Sequence, residues 1–321
     1  RLPILHAGAV AAVSLAMLVV FHLATGAFDS ETSLRGLDLV AFMVMGRSSL
    51  VLMVPVLASA LAGILLYRGR FQQEGLVYLA SAGGVAAVST AIALYAGFIS
   101  DVDANWTTII FVTYAVVAMA VVPIVRRPIA SWIAAGTLLL ATVLLLRFNS
   151  LLEGPWGSWD VTGGQRLLMA LLAHGLISAI FGLALRVRNG AVESENRAEH
   201  LPLNWLSVLP LAGTCVAALT IPFILYVGPA DLGLHAAFAA TVAVIWAIPA
   251  YILWEPRLVT AAQTAATVAI AFATAAIAHG VESWQGLADI RHWQLQLSVL
   301  GVWCLLGAVG RLFASRSARA R

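Results

Sequence analysis

The chain has 321 residues, of which 61% are hydrophobic and only 10% charged, and its mean hydropathy is +0.95. Soluble domains carry about 25% charged and about 45–50% apolar residues, so this composition excludes a water-soluble globular protein. The net charge of +3 rests on 18 arginines and no lysine, a bias that fits a GC-rich genome and membrane topology better than a nucleic-acid partner.

Apolar runs of about twenty residues recur along the chain, each long enough to cross about 30 Å of hydrocarbon. Helices satisfy their own backbone hydrogen bonds in lipid, and the alternating ten-residue segments of a membrane β-barrel are absent. The expectation is an all-α fold: a polytopic transmembrane helical bundle of about ten spans, forming a single transmembrane domain over residues 1–321.

The first span, 2–26, exceeds the 7–15-residue core of a signal peptide and reads as a retained helix. After the polar FDSET (28–32), the segment SLRGLDLVAFMVMGRSS (33–49) reads as a short interfacial helix with Arg35 and Arg47 at its ends. The second span, 49–67, turns at YRGRFQQEG into the third, 75–99, which contains the small-residue run SAGGVAAVS. FISDVDANW (98–106) then forms a polar turn, so Asp101 and Asp103 stand at a loop tip before the fourth span, 106–125. VRRP leads to the fifth span, 129–147, and the loop NSLLEGPWGSWDVTGGQ (149–165) to the sixth, 166–185. A longer loop of mixed charge, 186–203, precedes the seventh span, 204–227, which carries Pro210 and Pro222. The eighth span, 232–254, turns at EPR into the ninth, 258–280. The tenth, 293–313, is followed by an Arg-rich cytoplasmic tail, 314–321.

Arginine orients this topology. With a cytoplasmic N-terminus, Arg1, Arg68, Arg70, Arg126, Arg127, Arg186, Arg188, Arg197, Arg257, Arg311, Arg316, Arg319 and Arg321 share one side, 13 of the 18. The other side has Arg35, Arg47, Arg147, Arg166 and Arg291. The positive-inside rule makes the richer side cytoplasmic, so both termini are expected there, in a bacterial cytoplasmic (inner) membrane. Outer-side helix starts near 49, 106, 166, 232 and 293 allow helical-hairpin repeats over 49–99, 106–147, 166–227 and 232–280. A span plus a loop is about 30 residues in any such protein, however, and that ordinary rhythm is the simpler account.

Ionisable groups are scarce within the spans, where each would mark a functional site. His174 is the exception, halfway along the sixth span; it is a candidate for cofactor, quinone or solute contact, with helix packing the plainer alternative. His22, His235, His279 and His292 are expected near the outer face, at one depth. Imidazole is the commonest metal ligand, so these four could assemble a metal or haem site and are, with His174, the weak cofactor-binding candidates; no two have the spacing of ligands on one helix face, so no metal site is assigned and no particular cofactor is identified. Asp29, Glu31, Asp101 and Asp103 are the weak catalytic candidates. A carboxylate in an outer loop can bind a divalent ion or act as a base on a lipid-linked substrate, although loop acids are ordinarily solvated turn formers.

Trp106, Trp156, Trp159, Trp284 and Trp293 on the outer side, and Trp132, Trp205 and Trp254 on the inner, fit interfacial belts. Cys215 and Cys304 fall within spans and imply no disulfide. In the ninth span Ala262, Ala266, Ala269, Ala273 and Ala276 make a small-residue stripe suited to close helix approach. The expected role is a non-catalytic integral or accessory subunit of a membrane complex, with membrane lipids and other membrane subunits as partners. The alternatives are a transferase acting on a lipid-linked substrate at the outer face, and a transporter or channel for a neutral or hydrophobic solute.

Overall fold

The computed structural model describes residues 2–25, 46–97, 101–148, 163–189, 204–226, 232–253, 256–279 and 290–319. Nearly all of them belong to ten α-helices. These are α1 Leu2–Ala24, α2 Gly46–Arg68, α3 Gln72–Gly97, α4 Asp101–Val125, α5 Pro128–Val143, α6 Gly163–Asn189, α7 Trp205–Tyr226, α8 Leu232–Leu253, α9 Pro256–His279 and α10 Ile290–Arg319. A π-helical turn, Leu144–Phe148, extends α5. Among the described residues, α1 to α9 are each long and apolar enough to cross a membrane, and α10 contains a shorter apolar stretch, Trp293–Ala308.

Each expected span coincides with a helix, but three ends differ by four residues or more once the π-helical turn is counted with α5. Helix α4 begins at Asp101, not at Trp106, so the acidic pair lies in its first turn instead of at a loop tip. Asp and Glu are favoured in a first helical turn by the dipole and the free N–H groups there. Helix α6 runs to Asn189. Helix α10 continues to Arg319 through most of the segment expected to be a tail, since Arg and Ala are strong helix formers. The segments 26–45, 149–162 and 190–203 lie outside the described residues, and with them most of the expected interfacial helix and of the Trp-rich and mixed-charge loops; residues 46–49, expected at the end of the interfacial helix, open α2 instead.

The junctions follow from local chemistry. Pro128 opens α5, where its missing N–H is no loss. It forces Arg127 into an extended conformation, φ −113° and ψ 140°. Arg126 then takes a left-handed φ of 52°, and its N–H donates to Val122 O to close α4. Asn204 caps α7, its Oδ1 accepting the Leu206 N–H and its carbonyl the Ser207 N–H.

The chain divides into two compact units. The first, Arg1–Val161 with Leu203–Val208, holds α1 to α5. Its core gathers Val56, Ala93, Ile110, Phe111, Tyr114 and Leu138 from α2, α3, α4 and α5. Helices α2 and α3 approach closely: a Cβ added to Gly75 would fall 2.5 Å from Tyr67 N and 2.8 Å from Gly63 O. In the second unit, Thr162–Pro202 with Leu209–Arg321, Leu168 and Leu172 of α6 meet Ala217 and Ile224 of α7 and Phe238, Val242 and Ile245 of α8. Helices α6 and α7 touch through backbone: a Cβ on Gly213 would lie 2.8 Å from Gly175 O, and one on Gly182 would collide with the Pro210 ring. Pro210 thus serves as a packing surface within an unbroken α7.

Apolar side chains also cover the outside of both units. Leu5, Leu65, Val116, Leu219 and Tyr251 are largely exposed. A helix apolar all round is either deeply buried or meant for lipid.

Candidate functional site

In the first unit a chain of buried hydroxyls joins three helices. Tyr114 of α4 donates from its hydroxyl to Ser89 Oγ of α3 at 2.8 Å, and Ser89 donates to the Ser49 carbonyl of α2 at 2.9 Å. Thr107 of α4 donates to Ala93 O of α3 at 3.0 Å. Beside this, His22 in the last turn of α1 is 2% exposed, and its Nε2 shares a hydrogen with Ser48 Oγ of α2 at 2.9 Å. His6 Nδ1 and the Tyr78 hydroxyl likewise pair at 3.1 Å, tying α1 to α3. Where hydrocarbon replaces water, such bonds hold helices in register because the groups have few other partners.

The second unit holds His174 and, one turn later on the same face of α6, Ser178. They are 1% and 0% exposed. Neither His174 Nδ1 nor Ser178 Oγ has a hydrogen-bond partner among the described residues. They do not bond each other. Both border the α6–α7 crossing, since Gly175 follows His174 and a Cβ on Gly213 would meet Ser178 Cβ at 3.2 Å. A buried imidazole and hydroxyl without partners cost free energy, and chemically they offer two hydrogen-bonding groups one turn apart.

The remaining candidates stand as follows. His235 of α8 is buried, with its ring 5.3 Å from that of Phe272 in α9. His279 is the last residue of α9 and His292 lies in the first turn of α10; their side chains fall outside the described residues. Asp29 and Glu31 lie outside them altogether, as do the side chains of Asp101 and Asp103. Among the described residues, no group of three or more His, Cys, Asp or Glu is placed to hold a metal ion. His22 and His235 are instead each engaged by a neighbour in their own unit.

Trp106, Trp132 and Trp293 are exposed, as belt residues would be. Trp205, expected in the inner belt, is buried, and its carbonyl accepts the Ser131 hydroxyl at 2.8 Å. Cys215 and Cys304 are free and exposed. Sequence reading missed the Tyr114–Ser89–Ser49 chain, whose members lie 25 and 40 residues apart. It also passed over Ser178, although HGLIS places that residue at helical spacing from His174. Set against known families, curated proteins and solved structures, the chain matches no family model, no curated protein and no solved structure.

Proposed function

We propose that the chain is a multi-pass protein of a bacterial cytoplasmic membrane, with both termini cytoplasmic, serving as a non-catalytic integral or accessory subunit of a membrane complex. The nine long apolar helices among the described residues, and the apolar surface they leave exposed, support the membrane reading, because a soluble monomer rarely exposes large contiguous apolar patches. The arginine asymmetry supports the orientation.

One observation supports the subunit role: several polar side chains within the apolar helices are taken up by structural hydrogen bonds, some between helices and some within one helix. Tyr114, Ser89, Thr107 and His22 bond between helices, and Thr113, Thr137, Thr142, Thr214 and Thr264 donate to carbonyls one turn back on their own helix. The test is extraction in mild detergent followed by light scattering and mass spectrometry. The expected result is a particle well above the 33.8 kDa of one chain, with stoichiometric companions. A lone monomer with robust turnover would overturn the proposal, and release from membranes by alkaline carbonate would overturn its membrane half.

The unpartnered His174 and Ser178 favour a second reading, a pathway for a neutral or hydrophobic solute. It requires flux in reconstituted vesicles that H174A abolishes.

A further inference from the structure

Three of the four buried side-chain nitrogen and oxygen atoms that lack a hydrogen-bond partner among the described residues stand on one ridge of α6. They are Arg166 Nε, His174 Nδ1 and Ser178 Oγ; the fourth, Gln296 Oε1, is on α10. Arg166, Ala170, His174 and Ser178 follow one another at four-residue steps, the spacing of a helix ridge, and cover about 18 Å from near the N-terminal end of α6. Resting on the second reading above, a solute pathway, we propose that this ridge selects the solute: a small neutral molecule that both donates and accepts hydrogen bonds.

The Ser178 hydroxyl has an acceptor at hand that it does not use. Ser14, Thr142 and Thr274, all buried, each donate to the carbonyl four residues back, a common way for a hydroxyl to be satisfied inside an apolar helix. Ser178 makes no such bond to the His174 carbonyl, and the His174 ring one turn away keeps Nδ1 without a partner. Buried polar groups are nearly always paired. Two neighbouring ones left open, 1% and 0% exposed, therefore mark a place for the polar groups of a ligand. Side chains four residues apart on a helix stand about 5–6 Å apart at Cβ, within the span of a molecule carrying two polar groups.

The surroundings exclude other classes of solute. Helices α6, α7 and α8 contain no Asp or Glu, and their arginines, Arg166, Arg186 and Arg188, stand near the two ends of α6. An ion of either sign thus meets no fixed counter-charge beside His174 and Ser178, and an unpaired charge at that depth is costly. A hydrocarbon would leave both groups without partners. The site is closed in this structure, where Gly182 abuts the Pro210 ring. Passage takes a parting of α6 from α7, which meet at Gly175 and Gly213 through backbone and not through interlocked side chains.

The full chain is reconstituted in phosphatidylcholine vesicles. Entry of glycerol or urea is followed by stopped-flow light scattering, and potassium entry by a fluorescent indicator inside. Glycerol or urea is expected to enter faster than into empty vesicles, and potassium no faster. S178A loses no bond to a described residue and should fold; it is expected to slow entry about three- to tenfold, the value of one hydrogen bond. H174L should slow it at least as much, whereas H174N, whose amide supplies both a donor and an acceptor, should keep part of the rate. Entry unchanged by S178A and H174L, or potassium entry as fast as that of glycerol, would overturn the proposed solute class and leave the pathway standing. No entry of any solute would instead sink the pathway reading itself, a distinguishable failure.

Discussion

Ser89→Ala and Tyr114→Phe remove the two ends of one buried hydrogen bond with unequal consequences. Ser89 accepts from Tyr114 and donates to the Ser49 carbonyl. In Ser89→Ala the Tyr114 hydroxyl loses its acceptor at a site almost closed to solvent, and an orphaned buried hydroxyl costs about 1–3 kcal/mol. In Tyr114→Phe no group is orphaned, because Ser89 still donates to Ser49. The loss is then only the net value of the bond, about 0.5–1.5 kcal/mol in water and nearer ~0.6 kcal/mol in membrane proteins. Tyr114→Phe in the Ser89→Ala background removes the orphan, so the double variant should be less destabilised than the two losses summed, by about 0.5–3 kcal/mol. Denaturant unfolding in mixed micelles, followed by circular dichroism, measures all four corners of the cycle. Additivity within about 0.3–0.5 kcal/mol, or a Tyr114→Phe loss larger than that of Ser89→Ala, would refute the reasoning.

Two further predictions concern packing. Gly75→Ala places a methyl against backbone atoms of Tyr67 and Gly63, and the α2–α3 pair should lose about 1–3 kcal/mol. Gly83→Ala, whose added methyl would meet nothing within 4 Å, should gain up to about 1 kcal/mol; equal effects at the two sites, read by thermal unfolding, would refute the close approach. Ser178→Ala deletes a buried hydroxyl with no partner among the described residues and should leave stability unchanged or raise it by about 1–3 kcal/mol. A clear drop in the unfolding midpoint would show that Ser178 has a partner.

Among the described residues, the order of the long apolar helices was legible in the sequence because a twenty-residue apolar run is a local property, although the tenth expected span contains only a shorter apolar stretch, Trp293–Ala308. The turns were legible for the same reason: the proline at VRRP and the arginines at YRGRFQQEG act on their own neighbours. Helix ends at polar boundaries were less so, as Asp101 and Arg319 show, because an acidic first turn and an Arg/Ala-rich last turn continue a helix after hydropathy has fallen. The candidate residues divided in the same way. His174 stood out by its depth within an apolar span. That His22 meets Ser48, that Ser89 links Tyr114 to Ser49, and that a Cβ at Gly75 would meet Tyr67 while one at Gly83 would point into open space depended on the tertiary structure. The physical reason is that these helices are apolar on every side, so no amphipathic period marks the face toward a neighbour. By itself the sequence determined a set of long apolar helices and where the chain turns between them. Only close packing, through glycine contacts and paired hydroxyls, decided which faces meet and which polar groups are left without a partner.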